Sequence, residues 1–300
     1  MPREWAVELK KKLPQARLDE PLARYTTFRI GGPADAYVEL GCRAELRLLL
    51  ECCRRYGAAL TVLGFGSNLL VRDRGVRGVV ARLRGEFESV EFLPDRRARC
   101  GAGVRMPRLV TLCAERGLGG LEPLVGVPGT LGGALVMNAG TREGEIGALV
   151  EEVEALDPAR ASELRLAGSE LSFGYRSSNL AGLVVTAGLL RLKAAGKADI
   201  MDRVSRLQQR RSRTQPIHTF NVGSTFKNPP GQFAARLIEQ AGLKGASVGG
   251  ARLSPLHANF IENFGAASAK DVLALVDRVR AAVLRDSGVA LELEMKVIGE

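Results

Sequence analysis

The segment GVPGTLGGALVMNAGTREGEIG, residues 126–147, constrains this chain more than any other part of it. Gly126, Gly129, Gly132, Gly133 and Gly140 surround Val127, Pro128 and Thr130, so long stretches of main chain carry no side-chain cover. Bare backbone N–H groups approach an anion closely, and with the Thr130 hydroxyl they suit a pyrophosphate better than a base or a sugar. Tight turns between short elements explain an isolated run of this kind equally well. The spacing is neither GxGxxG nor GxxxxGK[ST], which argues against a Rossmann fingerprint and a P-loop.

A second loop of the same chemistry decides more. The apolar run LTVLG enters Gly64, Phe65, Gly66, Ser67, Asn68 and Leu69 directly, so a glycine turn follows a strand. Two anion-type loops in one chain point to a dinucleotide. Arg29, beside Gly31 and Gly32, either completes that anion site or is a surface arginine near a turn.

A chain of 300 residues exceeds one ordinary core, so two or three packed units are expected. The net charge of +10 does not name its counter-ion. Its densest basic run, DRVSRLQQRRSR, lacks interleaved aromatics and matches no nucleic-acid module, so an anionic small molecule is the expected partner. The five cysteines are odd in number and lack zinc spacing, which implies a reducing compartment. Cys53 and Cys113 fall on apolar helical stripes and read as small buried hydrophobes. The N-terminus has no signal-peptide core and no stretch reaches about 20 apolar residues, so a cytoplasmic protein is expected.

Periodicity predicts a strand over 34–40, a helix over 43–56 ended by Gly57, and strands at 78–83, 87–93 and 98–103. A helix through Leu109, Leu112 and Cys113 precedes the glycine run, and strands VEEVEALD and GLVVTAGLLRL follow it. The segment near Ala194 reads as a linker into a new helix. Phe233, Leu237, Ile238 and Ala241 share a helical face. A longer helix over 268–287 has Ser268 as N-cap and Gly288 just past its end. The last segment, VALELEMKVIG, alternates like an edge strand, with Glu292 and Glu294 on one face about 7 Å apart by strand rise.

Seven motifs occur in order from Thr26 to Gly299: TTFRIGGPAD, LGFGSNLLVRD, VGVPGTLGGALVMNAG, FGYRSS, GSTFKNP, HANFIEN and LELEMKVIG. Together they resemble the UDP-N-acetylenolpyruvoylglucosamine reductase family, in its shorter subtype without the extra insertion of the substrate domain. The resemblance implies an α+β protein: a vanillyl-alcohol-oxidase-type (PCMH-type) FAD-binding domain of two subdomains, 1–76 and 77–193. A substrate-binding domain over 194–300 follows, whose last strand, about 289–300, returns to the flavin. It implies NADPH as hydride donor to a non-covalently held FAD, a UDP-sugar enolpyruvate as substrate, one cleft for both in turn, a monomer, and a role in peptidoglycan precursor synthesis. No metal is expected, since two histidines without nearby HExxH spacing do not make a catalytic site.

Carried over motif by motif, the resemblance makes Arg176, Ser224 and Glu294 catalytic. It places the cofactor on Gly64, Phe65, Gly66, Ser67, Asn68 and Leu69 of one loop and Gly126, Val127, Pro128, Gly129, Thr130, Gly132 and Gly133 of the other, with Asn138, Ala139, Gly182 and Leu183. Tyr175, Arg210, Lys227, Asn228 and His257 fall to the substrate. The chemistry agrees in part: Arg176 offers a permanent planar cation for an enolate, and Ser224 needs Lys227, Arg176 or a water to act as an acid at neutral pH. Periodicity does not choose between Glu292 and Glu294, and by spacing both suit a solvated polar face. Residues alone favour a hydrogen-bonded, half-buried His257, and assign the loop residue His218 in the same way. One departure stands out, since Thr214 occupies a position where the family often has lysine, leaving Arg210, Arg211 and Arg213 as alternatives for the diphosphate. Two rivals stay open: another FAD-dependent oxidoreductase of this cofactor fold acting on an alcohol or sugar, and a non-enzymatic binding protein using the +10 charge.

Overall fold

The computed structural model describes residues 4–300. They form an α+β protein of two compact units: 4–18, Ala36–Phe65 and Gly78–Arg210 make the first, and Asp19–Asp35, Gly66–Arg77 and Arg211–Glu300 the second. Each unit is therefore assembled from segments far apart in the chain, and the loop 64–68 divides between Phe65 and Gly66.

In the first unit a five-stranded antiparallel sheet runs in the order Ser162–Ala167, Val150–Asp157, Val184–Arg191, Arg97–Gly101, Val90–Leu93. The β-branched residues of VEEVEALD and GLVVTAGLLRL suit its centre, where Val153, Val184, Val185 and Leu190 are buried. The short helix Leu131–Val136 lays Leu131 and Leu135 into the same core, so the glycine run is anchored at one end by packing. The helix Arg43–Tyr56 buries Leu46, Leu49, Leu50, Cys52 and Cys53 and ends on Gly57 at φ 63°, a left-handed cap that glycine adopts without strain. Burial pushes the thiols of Cys53 and Cys113 up to about 12, so both behave as the apolar residues their stripes indicate.

The second unit has its own core of Phe28, Leu70, Phe226, Ile238, Leu253, Ile261 and the face of the helix Ala269–Ser287. That helix follows its sequence signals: Ser268 caps it, Asp271 returns a bond to the Ser268 N–H, and Gly288 ends it at φ 69°. Val272, Leu275, Val276, Val279 and Val283 are all buried, as the stripe predicts. A small antiparallel sheet, Ser247–Val248, Ala251–Leu253 and Ile261–Asn263, and a parallel pair, Leu69–Val71 with Lys296–Ile298, complete the frame.

Three expectations need correction. Only Lys296–Ile298 of the last segment is a strand, because the N–H groups of Glu294 and Met295 both turn onto the Thr225 carbonyl and break the alternation. Phe87 lies in a 3-10 turn, Gly85–Glu88, which starts at Gly85 with φ 54° where a side chain would strike the Gly41 carbonyl at 2.5 Å. The linker expected near Ala194 includes a two-residue strand, Lys193–Ala194, paired with Leu118–Gly119, before the helix Lys197–Thr214 begins.

Candidate active site

Within the first unit the start of one glycine loop, Gly64 and Phe65, meets the other at Thr130. A Cβ on Gly64 would lie 2.7 Å from Thr130 Oγ1, so the absence of a side chain there is what lets the loops meet. Arg82 Nε donates to the Gly64 carbonyl at 2.8 Å, and the Arg105 guanidinium stacks 3.4 Å from the centre of the Phe65 ring. Burial, and then the charges of Arg82 and Arg84, lower the pKa of Arg105, which marks a concentration of positive charge. Not every N–H of the run is offered outward: Leu131 donates to the Val104 carbonyl at 2.9 Å and Gly132 to the Ala102 carbonyl at 2.8 Å. Gly126, Val127, Pro128 and Gly129 stay half-buried and Gly133 exposed. Converging bare backbone, the Thr130 hydroxyl and the guanidinium groups of Arg82 and Arg105 make a donor set that fits the diphosphate of a dinucleotide, while Arg84 is paired with Glu88 at 2.9 Å. Gly182 turns the chain at φ 88°, with the Leu183 N–H donating to the Leu180 carbonyl at 3.1 Å.

Arg176 stands on a two-residue hairpin loop, Phe173–Gly174 paired with Ser177–Ser178, with exposed Tyr175 beside it. Its φ of 54° is costly for a residue with a Cβ, of the order of 1 kcal/mol, so the position is held by an arginine where a glycine would be less strained. The guanidinium lies 4.9 Å from the centre of the Tyr175 ring, and Nη2 donates to the Gly140 carbonyl at 3.0 Å. Nη1 is 3.6 Å from Glu145 Oε1. Asn138, buried and itself at φ 44°, donates both to Glu145 Oε2 and to the Gly174 carbonyl and accepts from the Gly147 N–H. Its amide thus shapes the loops, and Ala139 continues the frame by donating to the Ala134 carbonyl at 2.8 Å.

The second unit clamps Ser224 from two sides. Ser224 bridges Phe260, the Thr225 N–H donates to the Asn259 carbonyl at 2.8 Å, and the Glu294 N–H donates to the Thr225 carbonyl at 2.9 Å. Buried Asn259 reinforces this by accepting from the Phe226 N–H and donating to the Phe226 carbonyl. From the glycine loop, Asn68 donates to the Glu294 carbonyl at 3.1 Å. Thr225 therefore sits between the serine and the backbone of Glu294.

Structure separates the two glutamates that periodicity left equal. Glu292 is exposed and pairs with Lys227 at 3.2 Å, whereas Glu294 is half-buried beside the clamp. Lys227 is accordingly engaged with Glu292. Asn228 accepts from the Ala234 N–H and holds the start of the helix Ala234–Gln240. His257 accepts from the Asn259 N–H through Nδ1 and packs edge-on to Phe260; burial lowers its pKa, so it is neutral at pH 7. Gly66, at φ 72°, packs its main chain on the Tyr25 carbonyl, followed by Ser67.

Two family models match successive parts of the chain. The FAD binding domain family matches residues 34–166, and the C-terminal domain of UDP-N-acetylenolpyruvoylglucosamine reductase matches residues 215–298. A protein of Moorella thermoacetica named UDP-N-acetylenolpyruvoylglucosamine reductase is 48% identical over 289 residues, 95% of this chain and 94% of its own. UDP-N-acetylenolpyruvoylglucosamine reductase 2 of Symbiobacterium thermophilum is 46% identical over 94% of this chain and 92% of its own. This chain belongs to the UDP-N-acetylenolpyruvoylglucosamine reductase family. The crystal structure of the reductase from Thermus caldophilus superposes with a TM-score of 0.82 at 43% identity, covering 95% of this chain and 98% of that one. This family member is thus an oxidoreductase with an FAD-binding domain.

Arg82, Arg105 and Glu145 were not legible as site residues. Arg82 and Arg84 alternate on one face of the strand Val76–Leu83 and its continuation, a pattern that could have flagged a cationic patch behind the glycine loop. Arg105 and Glu145 carry no local signal, since each acquires its neighbour through a chain reversal. In this reductase-family chain Arg210 pairs with Glu143 at 3.0 Å on the first unit, Arg211 is half-buried with its pKa lowered by burial, and Arg213 is exposed. Thr214 closes the helix Lys197–Thr214.

Proposed function

We propose that the protein reduces the enolpyruvyl group of UDP-N-acetylglucosamine enolpyruvate to the lactyl ether of UDP-N-acetylmuramate, with NADPH as electron donor, in cytoplasmic peptidoglycan precursor synthesis. The observation that carries this reading is the joint presence of two converging glycine loops with an arginine cluster and a clamped serine in the GSTFKNP segment. Binding roles divide along the chain as 1–76 and 77–193 for FAD and 194–300 for the nucleotide sugar, with 289–300 returning to the flavin. FAD is held without a covalent bond, since neither glycine loop contains a histidine or cysteine. NADPH and the sugar nucleotide use one site in turn, and the enzyme acts as a monomer.

When bound, FAD supplies the hydride that reaches the terminal carbon of the enol ether. Negative charge then grows on the neighbouring carbon and its carboxylate, and Arg176 stabilises it with a fixed cation that does not deprotonate. Ser224 delivers the one proton that this carbon takes up, and Glu294, as the second acidic group, stabilises the enolate by hydrogen bonding without a net proton transfer. An unassisted hydroxyl is a poor acid at neutral pH, so Ser224 needs a neighbouring cation or a water to lower its pKa or relay a proton. Tyr175, Arg210, Lys227, Asn228 and His257 line the substrate, and the basic face of the helix Lys197–Thr214 meets the diphosphate.

Anaerobic reduction of the yellow holoenzyme by NADPH, followed by the enolpyruvyl nucleotide sugar, tests the reading. Return of the oxidised flavin spectrum with a product heavier by two hydrogens is expected. Reoxidation by an alcohol-derived carbonyl compound or by oxygen alone, without turnover of the enol ether, would favour the oxidase alternative, and a colourless protein would remove both.

A further inference from the structure

The hairpin formed by Gly140–Thr141 and Gly144–Glu145 delivers two acceptors to one guanidinium. Gly140 and Glu145 are register partners in it, so the carbonyl that accepts from Arg176 Nη2 and the carboxylate facing Nη1 come from one cross-strand position. A Cβ on Gly140 would lie 2.6 Å from Glu145 Cγ, so the glycine clears the path along which the glutamate reaches the arginine. Glu145 is itself fixed, since Asn138 donates to Oε2 at 2.8 Å and ties the same amide to the Gly174 carbonyl at 2.9 Å on the loop that carries Arg176. The Arg176 side chain is only 16% exposed and that of Glu145 37%, so the contact is shielded from solvent on the arginine's side.

We propose that Glu145 is a positioning residue for Arg176: with the Gly140 carbonyl it holds the guanidinium in one orientation, aimed by the 140–145 hairpin. A long side chain on a strained two-residue loop has many rotamers, and a stabilising cation acts only if it is already in place when charge develops. The carboxylate also offsets part of the arginine's charge, so what the pair contributes is orientation at the expense of field strength. The inference rests on the role given to Arg176 above.

The test uses the holoenzyme with Glu145→Ala, Glu145→Gln, Arg176→Ala and the Glu145→Ala/Arg176→Ala double variant. Each is reduced with NADPH and mixed with UDP-N-acetylglucosamine enolpyruvate, and substrate affinity for the oxidised enzyme is titrated separately. Glu145→Ala is expected to slow reoxidation by about 10-fold or more, since a misplacement near 1 Å costs up to about 10²-fold. Its NADPH half-reaction and its substrate dissociation constant should stay within about threefold, a split that a general folding defect would not produce. Glu145→Gln, which keeps an acceptor oxygen, should recover much of the rate. In the Arg176→Ala background, Glu145→Ala should change the rate by less than about twofold, because its effect passes through the missing arginine. An equal loss in both backgrounds, or an unchanged rate in Glu145→Ala beside a slow Arg176→Ala, would overturn the positioning role alone. An unchanged rate in Arg176→Ala would overturn it together with the reading of Arg176.

Discussion

Asn68 donates its side-chain amide to the main-chain carbonyl of Glu294 at 3.1 Å, while the Lys296 N–H returns a bond to the Asn68 carbonyl at 3.0 Å. A glycine-loop residue and the segment bearing a proposed acid are thereby one hydrogen-bonded unit, extended by the parallel pairing of Leu69–Val71 with Lys296–Ile298. Asn68→Ala should lower stability by about 1 kcal/mol, the usual net worth of such a bond. Asn68→Asp, nearly the same shape, turns an acceptor toward the carbonyl and should cost more. Denaturant melts of the two variants check this, and equal losses would show that the Glu294 carbonyl is not the bond that matters.

The close approach of Gly64 and Thr130 gives a steric prediction. Gly64→Ala sets a methyl 2.7 Å from Thr130 Oγ1, an overpacking of the kind that costs about 1–3 kcal/mol. Adding Thr130→Ala removes the oxygen and should restore the melting temperature without restoring flavin retention, because the hydroxyl is then missing from the anion site. A double variant as unstable as Gly64→Ala would mean that the loops do not meet as described.

Much of this was legible because it is local. Ser268, Asp271 and Gly288 bracket a helix within the reach of one turn, and the 3.6 period of Val272, Val276, Val279 and Val283 declares its buried face. The motifs around Arg176 and Ser224 likewise lie in continuous sequence. The terminal segment misled because alternation does not report a partner's length: Thr225 offers one carbonyl to two successive N–H groups, and the strand cannot start before Lys296. Arg105 and Glu145 stayed hidden because their neighbours, Phe65 and Arg176, lie 40 and 31 positions away in the chain.

Acid sensitivity should trace in part to Glu154. Burial raises its pKa, but the hydrogen bonds from Arg99 and Arg43 outweigh it, and the folded-state value is lowered. A depressed carboxylate contributes stability that is present above the unfolded glutamate pKa of about 4.3 and is lost as pH falls through the folded value. Glu154→Gln should therefore be less stable than the parent at pH 7, and the gap should narrow steadily below about pH 4. Melting temperatures from pH 3 to 7 check this; a gap that widened on acidification would have the wrong sign.

Ser224 is clamped through Thr225, Phe260 and Asn259 yet stays outside the buried core, as a proton donor to a bound substrate must. Stopped-flow records of the two half-reactions separate hydride supply from proton delivery. Ser224→Ala should keep flavin reduction by NADPH close to the parent rate and slow reoxidation by UDP-N-acetylglucosamine enolpyruvate by about 10²–10⁴-fold, the usual worth of a positioned acid. Ser224→Cys should recover part of that loss, since a thiol still donates a proton. If Ser224→Ala slowed both half-reactions equally, or neither, the serine would not be the proton donor and the proposed division of the chemistry would fail.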